Sequence, residues 1–215
     1  MVNRKRAPQP DPRSNIPDEY KPATWVYTNP YRPPNDDQAV MHRDVLYAAI
    51  GRVLTQWEIL ETVLAAQFQN LIGSKKVSAL RAYGSILASG SRIDMLDAVA
   101  EIEMEGDVLK TCKTLLQDIR RLAATRNLLA HGVVVSVTEE GWPSDDPRMD
   151  TKGPFLLLPA PYNTSKFKIG ETGPVYAYSA LTIEAIGREV QKAISRAGAL
   201  TGEQGYRRFW RFHLQ

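Results

Sequence analysis

Residues 107–137, DVLKTCKTLLQDIRRLAATRNLLAHGVVVSV, decide the fold. With Cys112 as axis and about 100° per residue, Val108, Leu109, Leu115, Leu116, Ile119, Leu122, Ala123 and Ala130 fall within about 80° of one direction. That arc predicts a helix over 107–131 with one face turned to a core. Asp107 suits its N-cap and Gly132 its C-terminal stop. Gly132 to Val137 is β-branched and predicts a strand. The chain thus changes from helix to strand at His131-Gly132.

Upstream the pattern is helical. Residues 39–72 place Leu46, Ile50, Val53, Trp57, Leu60, Leu64 and Phe68 at three- and four-residue spacing, and Gly73-Ser74 closes that helix. Further helices are expected at about 75–88, stopped by Ser89-Gly90, and at 92–104, stopped near Gly106. Downstream, 140–153 is a loop rich in Gly and Pro. Phe155–Leu158, Phe167–Ile169 and Val175–Tyr178 suggest an antiparallel meander, and 181–198 returns to helical period. The expected fold is mainly α: a bundle of four or five helices with a small antiparallel β insertion, about 133–180, before the last helix.

Residues 1–38 hold eight of the fourteen prolines, which excludes a helix or central strand and predicts an extended arm. Its Trp25, Tyr27 and Tyr31 are expected to pack on the body. Residues 39–215 then form one domain.

The 215 residues are 43% hydrophobic and 24% charged, ordinary for a globular chain able to bury a core without staples. Lys and Arg number 27 and Asp and Glu 24, so the net charge is +3 and any basic surface must be local. The single cysteine, Cys112, excludes an intrachain disulfide and a zinc site of several thiolates, and suits a small core residue. No apolar run approaches the roughly 18 residues of a membrane span. The basic start MVNRKRAPQPDPR is followed by no apolar stretch, so the expected compartment is the cytoplasm and no membrane partner is expected.

One residue breaks the pattern. Arg126 falls about 40° from the Cys112 axis, inside the apolar arc, where an unpaired charge costs several kcal/mol. Either the arc opens into a cleft or interface there, or Arg126 has a partner. Glu61 falls within the apolar arc of helix 39–72, about 40° from Trp57. It either meets Arg126 through a charge-assisted hydrogen bond or lies at the arc edge in water. Asn127 and His131 share one stripe, whereas Arg126 and His131 diverge by about 140°. Their convergence needs the long arginine side chain, the end of the helix, or a second copy facing the first. Each residue also has an ordinary role: His131 as a C-terminal cap, Asn127 as surface polar, Arg126 reaching out to solvent. Yet this helix, with Lys110, Lys113, Arg120, Arg121 and Arg126 against Asp107 and Asp118, carries +3 by itself.

Arg126-Asn127-Leu128-Leu129-Ala130-His131 resembles the R-x-x-x-x-H motif of HEPN-domain proteins, including the polar residue that often follows their arginine. QWEILETVL, with Trp57, Leu60 and Glu61, is similar to their first long helix. The resemblance covers about 40–131, with 181–198 as a last bundle helix; the β segment and the arm lie outside it. It implies a metal-independent endoribonuclease, often a toxin or defence effector, acting as a homodimer with a composite site. Arg126 and His131 would be the catalytic pair, with Asn127 and Glu61 supporting, RNA the partner, no cofactor or metal, and an antitoxin or regulatory protein a further partner. The chemistry suits these side chains. RNA brings its own 2′-hydroxyl nucleophile, a guanidinium steadies charge growing on the phosphate, and histidine moves protons near neutral pH. Two residues after the histidine, where one toxin group has the tyrosine its partner modifies, stands Val133, which departs from that regulation. Other HEPN domains only bind nucleotides or RNA or hold protein partners.

The tail Tyr206–His213, YRRFWRFH, mixes bases with aromatics, a composition that suits single-stranded nucleic acid or a segment packed on the body. His42 is structural, 170–173 a turn, and Ser91 a helix cap.

Overall fold

The computed structural model describes residues 37–136, 155–160, 162, 167–168, 173–174 and 177–201. The proline-rich arm with its aromatics, the 140–153 loop, residues 169–172 and 175, and the tail from Tyr206 lie outside these residues. The described chain is mainly helical with a small antiparallel sheet before the last helix, as the patterning implies. Helices α1 (Asp37–Leu71), α2 (Val77–Gly84), α3 (Ser89–Glu103) and α4 (Gly106–Ala130) come first. Strands β1 (Gly132–Ser136), β2 (Phe155–Pro159), β3 (Phe167–Lys168) and β4 (Gly173–Pro174) follow, and α5 (Ala180–Thr201) comes last.

Helix α1 runs through the middle, packing against every other helix. Its Leu46, Val53, Trp57, Leu60 and Leu64 are buried, meeting Cys112, Leu115, Leu116 and Ile119 of α4 and Ile183, Ile186, Val190 and Ala197 of α5 in one apolar core. Side-chain contacts give the directions. Gln67 reaches Cys112 and Glu58 reaches Arg126, so α1 and α4 are antiparallel. Lys113 pairs with Glu101 and Arg120 with Asp94, so α3 and α4 are antiparallel.

The helix ends depart from expectation in informative ways. Helix α2 stops at Gly84, and Ser89-Gly90 opens α3 instead of closing α2. Arg92 Nε donates to Ile86 O and Ser89 Oγ to Glu61, so the intervening turn is tied to α1 and α3. Ser91 lies inside α3, whose N-cap is Ala88. Asp107 sits in the first turn of α4, where its charge suits the helix dipole, while Glu105 is the N-cap. Gly106 takes φ 60°, a left-handed turn that a side chain would strain. Gly73, at φ 63°, closes α1 as expected.

Strand β1 pairs antiparallel with β2 in the register Gly132–Pro159 to Ser136–Phe155. Tyr178 exchanges two backbone hydrogen bonds with Leu157, both 2.9 Å, so the segment before α5 joins the far edge of β2. Strands β3 and β4 form a separate pair. The expected meander is therefore split: 173–174 turns back on 167–168, and among the described residues of 173–178 it is Tyr178 that bridges to the sheet, at Leu157. Gly132 does not take the left-handed conformation expected of a helix stop. Its constraint is space: a Cβ there would lie 2.6 Å from Leu157 Cδ1 and 3.0 Å from Leu158 O.

Candidate functional site

Helix α4 carries Arg126, Asn127 and His131 to the bundle end that also holds the sheet. The buried face of α4 follows Cys112, Leu115, Leu116, Ile119 and Ala123, then turns to Thr125 and Leu129. That turn is about 100° on the helical wheel, as expected of a helix crossing its neighbours at an angle. It leaves Ala130 exposed, against the arc expectation, and Val108 exposed at the other end. Arg126 thereby lies at the edge of the buried face, with its side chain 30% exposed.

Among the described residues the guanidinium has two contacts. Nη1 donates to Asn127 Oδ1 at 3.3 Å, and Nη2 lies 3.6 Å from Glu58 Oε1. Nε is buried and, among the described residues, without a hydrogen-bond partner. The second contact is long, and Glu58 is 68% exposed, so water and salt screen it. Arg126 is therefore weakly held and retains donors for an anion.

His131 ends the helix. Its backbone, at φ −112° and ψ 11°, leaves the helical region, and its N–H donates to Asn127 O at 3.1 Å. The side chain is exposed, and among the described residues no hydrogen bond or ion pair holds the imidazole. Asn127 is exposed one turn before it, linking the backbone of His131 with the guanidinium of Arg126.

Glu61 does not meet Arg126. It is buried, and its carboxylate accepts from Tyr83 Oη at 3.0 Å, Ser89 Oγ at 2.8 Å and Arg92 Nη1 at 3.1 Å. Arg92 also lies over the Tyr83 ring, 5.4 Å from its centroid. Glu61 faces the α2–α3 turn, whereas Arg126 lies beside Glu58, one turn earlier on α1. Glu61 thus supports the fold of α1, α2 and α3 rather than the Arg126 site. Burial, with Glu61 beside it, pushes the Tyr83 hydroxyl well above its ordinary range. The apolar arc of α1 does not point to Arg126's partner, because Glu58 lies about 100° from Trp57, outside that arc. An arginine at a buried edge finds its partner on the neighbouring edge, not within the neighbouring core stripe.

A second feature had no sequence signal. Ala49, Arg52, Val53 and Gln56 of α1 and Glu184, Gly187, Arg188 and Gln191 of α5 line an open cleft of about 450 Å³. Arg52 Nη2 and Glu184 Oε1 close its rim at 2.9 Å. Gly187 lets the helices approach, since a Cβ there would lie 3.0 Å from Gln56 Oε1. Among the described residues no group of three His, Cys, Asp or Glu converges as a metal site would require, and no helix is long and apolar enough to cross a membrane. Comparisons with protein-family models, curated proteins and solved structures find no match to this chain.

Proposed function

We propose that this chain is a metal-independent endoribonuclease of the HEPN type, a toxin or defence effector in the cytoplasm, acting as a homodimer through Arg126 and His131. The observation that carries the reading is a part-buried guanidinium that, among the described residues, has an unpartnered Nε and one weak acidic contact, five residues before an exposed imidazole. In the reaction the 2′-oxygen–phosphorus bond forms and the phosphorus–5′-oxygen bond breaks. The 2′-hydroxyl loses a proton and the 5′-oxygen gains one, leaving a 2′,3′-cyclic phosphate and a free 5′-hydroxyl. Arg126 stabilises charge on the phosphate oxygens, and His131 carries one of the two protons. Asn127 steers the guanidinium through its Oδ1. The divergence of about 140° along one helix is met by taking the arginine of one protomer with the histidine of its partner.

A second reading, a catalytically silent module that binds RNA, nucleotide or a protein partner, draws on Glu58 and Asn127, which already occupy part of the guanidinium. One experiment separates the two. Full-length protein is incubated with labelled RNA in EDTA, beside Arg126→Ala and His131→Ala. Cleavage to cyclic-phosphate ends that both variants lose supports the nuclease, and recovery on mixing the two variants supports the composite dimer. Intact RNA with the wild-type chain ends the nuclease reading, and RNA retained but uncut supports the silent module.

A further inference from the structure

The bundle end remote from His131 carries four exposed apolar side chains: Ile72 at 43%, Val77 at 56%, Ile102 at 79% and Val108 at 54% exposure. They stand just past the end of α1, at the start of α2, in the last turn of α3 and in the first turn of α4. The antiparallel pairings of α4 with α1 and α3 bring three of these ends together. Gln69 Nε2, donating to Lys76 O, places the start of α2 there too.

Helix α5 also ends on that side. Gly187 lies against Gln56 and Val53, and Arg196 pairs with Asp118, which stands midway between the α4 residues that face Gln67 and Glu58. Helix α5 therefore runs parallel to α1. Beyond Arg196 it continues five residues to Thr201, about 7.5 Å, whereas α4 continues twelve residues from Asp118 back to Gly106, about 18 Å. Helix α5 stops about 10 Å short and leaves a step beside the apolar residues.

The charges on the wall of that step are acidic. The run 101–107, EIEMEGD, holds four carboxylates. Lys113 holds Glu101 and Lys110 holds Asp107. Among the described residues Glu103 and Glu105 have no ion pair and are exposed. Lys75 and Lys76 lie beside Val77, so a cationic segment is drawn to the α3–α4 side.

We propose that residues 206–213 of this chain, YRRFWRFH, dock on this end, the aromatics covering Ile102 and Val108 and the arginines meeting Glu103 and Glu105. The four residues 202–205, GEQG, reach about 14 Å, enough to cross the 8–10 Å between neighbouring helices. Three arginines match the two unpaired carboxylates, and four aromatics match the exposed apolar cluster. The site lies at the opposite end from Arg126 and His131, so the tail is a clamp on the bundle, not an arm over the RNA site.

The test places the photo-crosslinking residue p-benzoylphenylalanine at Trp210 of the full-length chain and maps products by mass spectrometry. Intrachain crosslinks to 101–108, at the mass of one chain, are expected. Glu103→Lys with Glu105→Lys lowers their yield about three- to tenfold, and reversing Arg207, Arg208 and Arg211 to Glu in that background restores it. Glu103 and Glu105 are exposed, and melting by circular dichroism checks that each variant folds. Crosslinks only between chains, only to added RNA, or only elsewhere on the bundle overturn the proposal, as does a yield indifferent to the charge reversal.

Discussion

The Glu61 carboxylate lies 3.1 Å from Arg92 Nη1, and the two side chains are only 8% and 19% exposed. Tyr83 and Ser89 donate to the same carboxylate, so one acid joins α1, α2 and α3. Breaking a buried pair leaves a charge without a partner, so Glu61→Ala should cost about 3–5 kcal/mol. Urea unfolding of the two proteins checks it: the midpoint falls while the slope is unchanged. A midpoint shift worth less than about 1 kcal/mol would show that the cluster is not a structural hub.

Tyr83 gives that cluster an alkaline signature. Its folded-state pKa is raised, so the folded chain keeps a proton that the unfolded chain releases above about pH 10. Stability is full below that pH and declines as pH rises, by up to about 1.4 kcal/mol per unit. Burial also raises the Cys112 thiol, which adds a decline in the same direction. Unfolding free energies of Cys112→Ala and Cys112→Ala/Tyr83→Phe between pH 8 and 11 isolate the tyrosine. The double variant should show the flatter alkaline limb, and parallel limbs would refute the assignment.

Gly132→Ala should weaken the junction between α4 and the sheet. The new methyl would overlap Leu157 and press on Leu158 O, and overpacking of this kind costs about 1–3 kcal/mol. The cost should shrink in a Leu157→Ala background, which a four-protein cycle of melting temperatures measures. Additive effects would mean that Leu157 is not what Gly132 avoids.

Glu58→Gln should strengthen anion binding at Arg126. The contact is long and Glu58 is exposed, so its loss leaves stability within about 0.5 kcal/mol. Freed of its acidic neighbour, the guanidinium should hold a short RNA up to about fivefold more tightly at low salt, and Arg126→Ala should lose that gain. Fluorescence anisotropy reads both. Affinities equal across wild type, Glu58→Gln and Arg126→Ala would remove Arg126 from the binding surface.

The helical class of the chain and the order of its long helices are legible in the sequence. Apolar spacing in 39–72, 107–131 and 181–198 specifies helices with one buried face each, and the β-branched run after His131 cannot continue the helix. Such signals are local, because the helical period and χ1 stiffness act over neighbouring residues. The candidate triplet Arg126, Asn127 and His131 was legible for the same reason, being a single helix end. Partners were not legible. Whether Arg126 meets Glu58 or Glu61 depends on where two helices cross, and one turn of offset exchanges a buried acid for an exposed one. Gly132 looked like a helix stop because local conformation is all that spacing encodes, whereas Leu157, distant in sequence, sets its actual constraint. The tertiary structure alone decided these pairings, since helix crossing and strand register are set by packing that no short window of sequence contains.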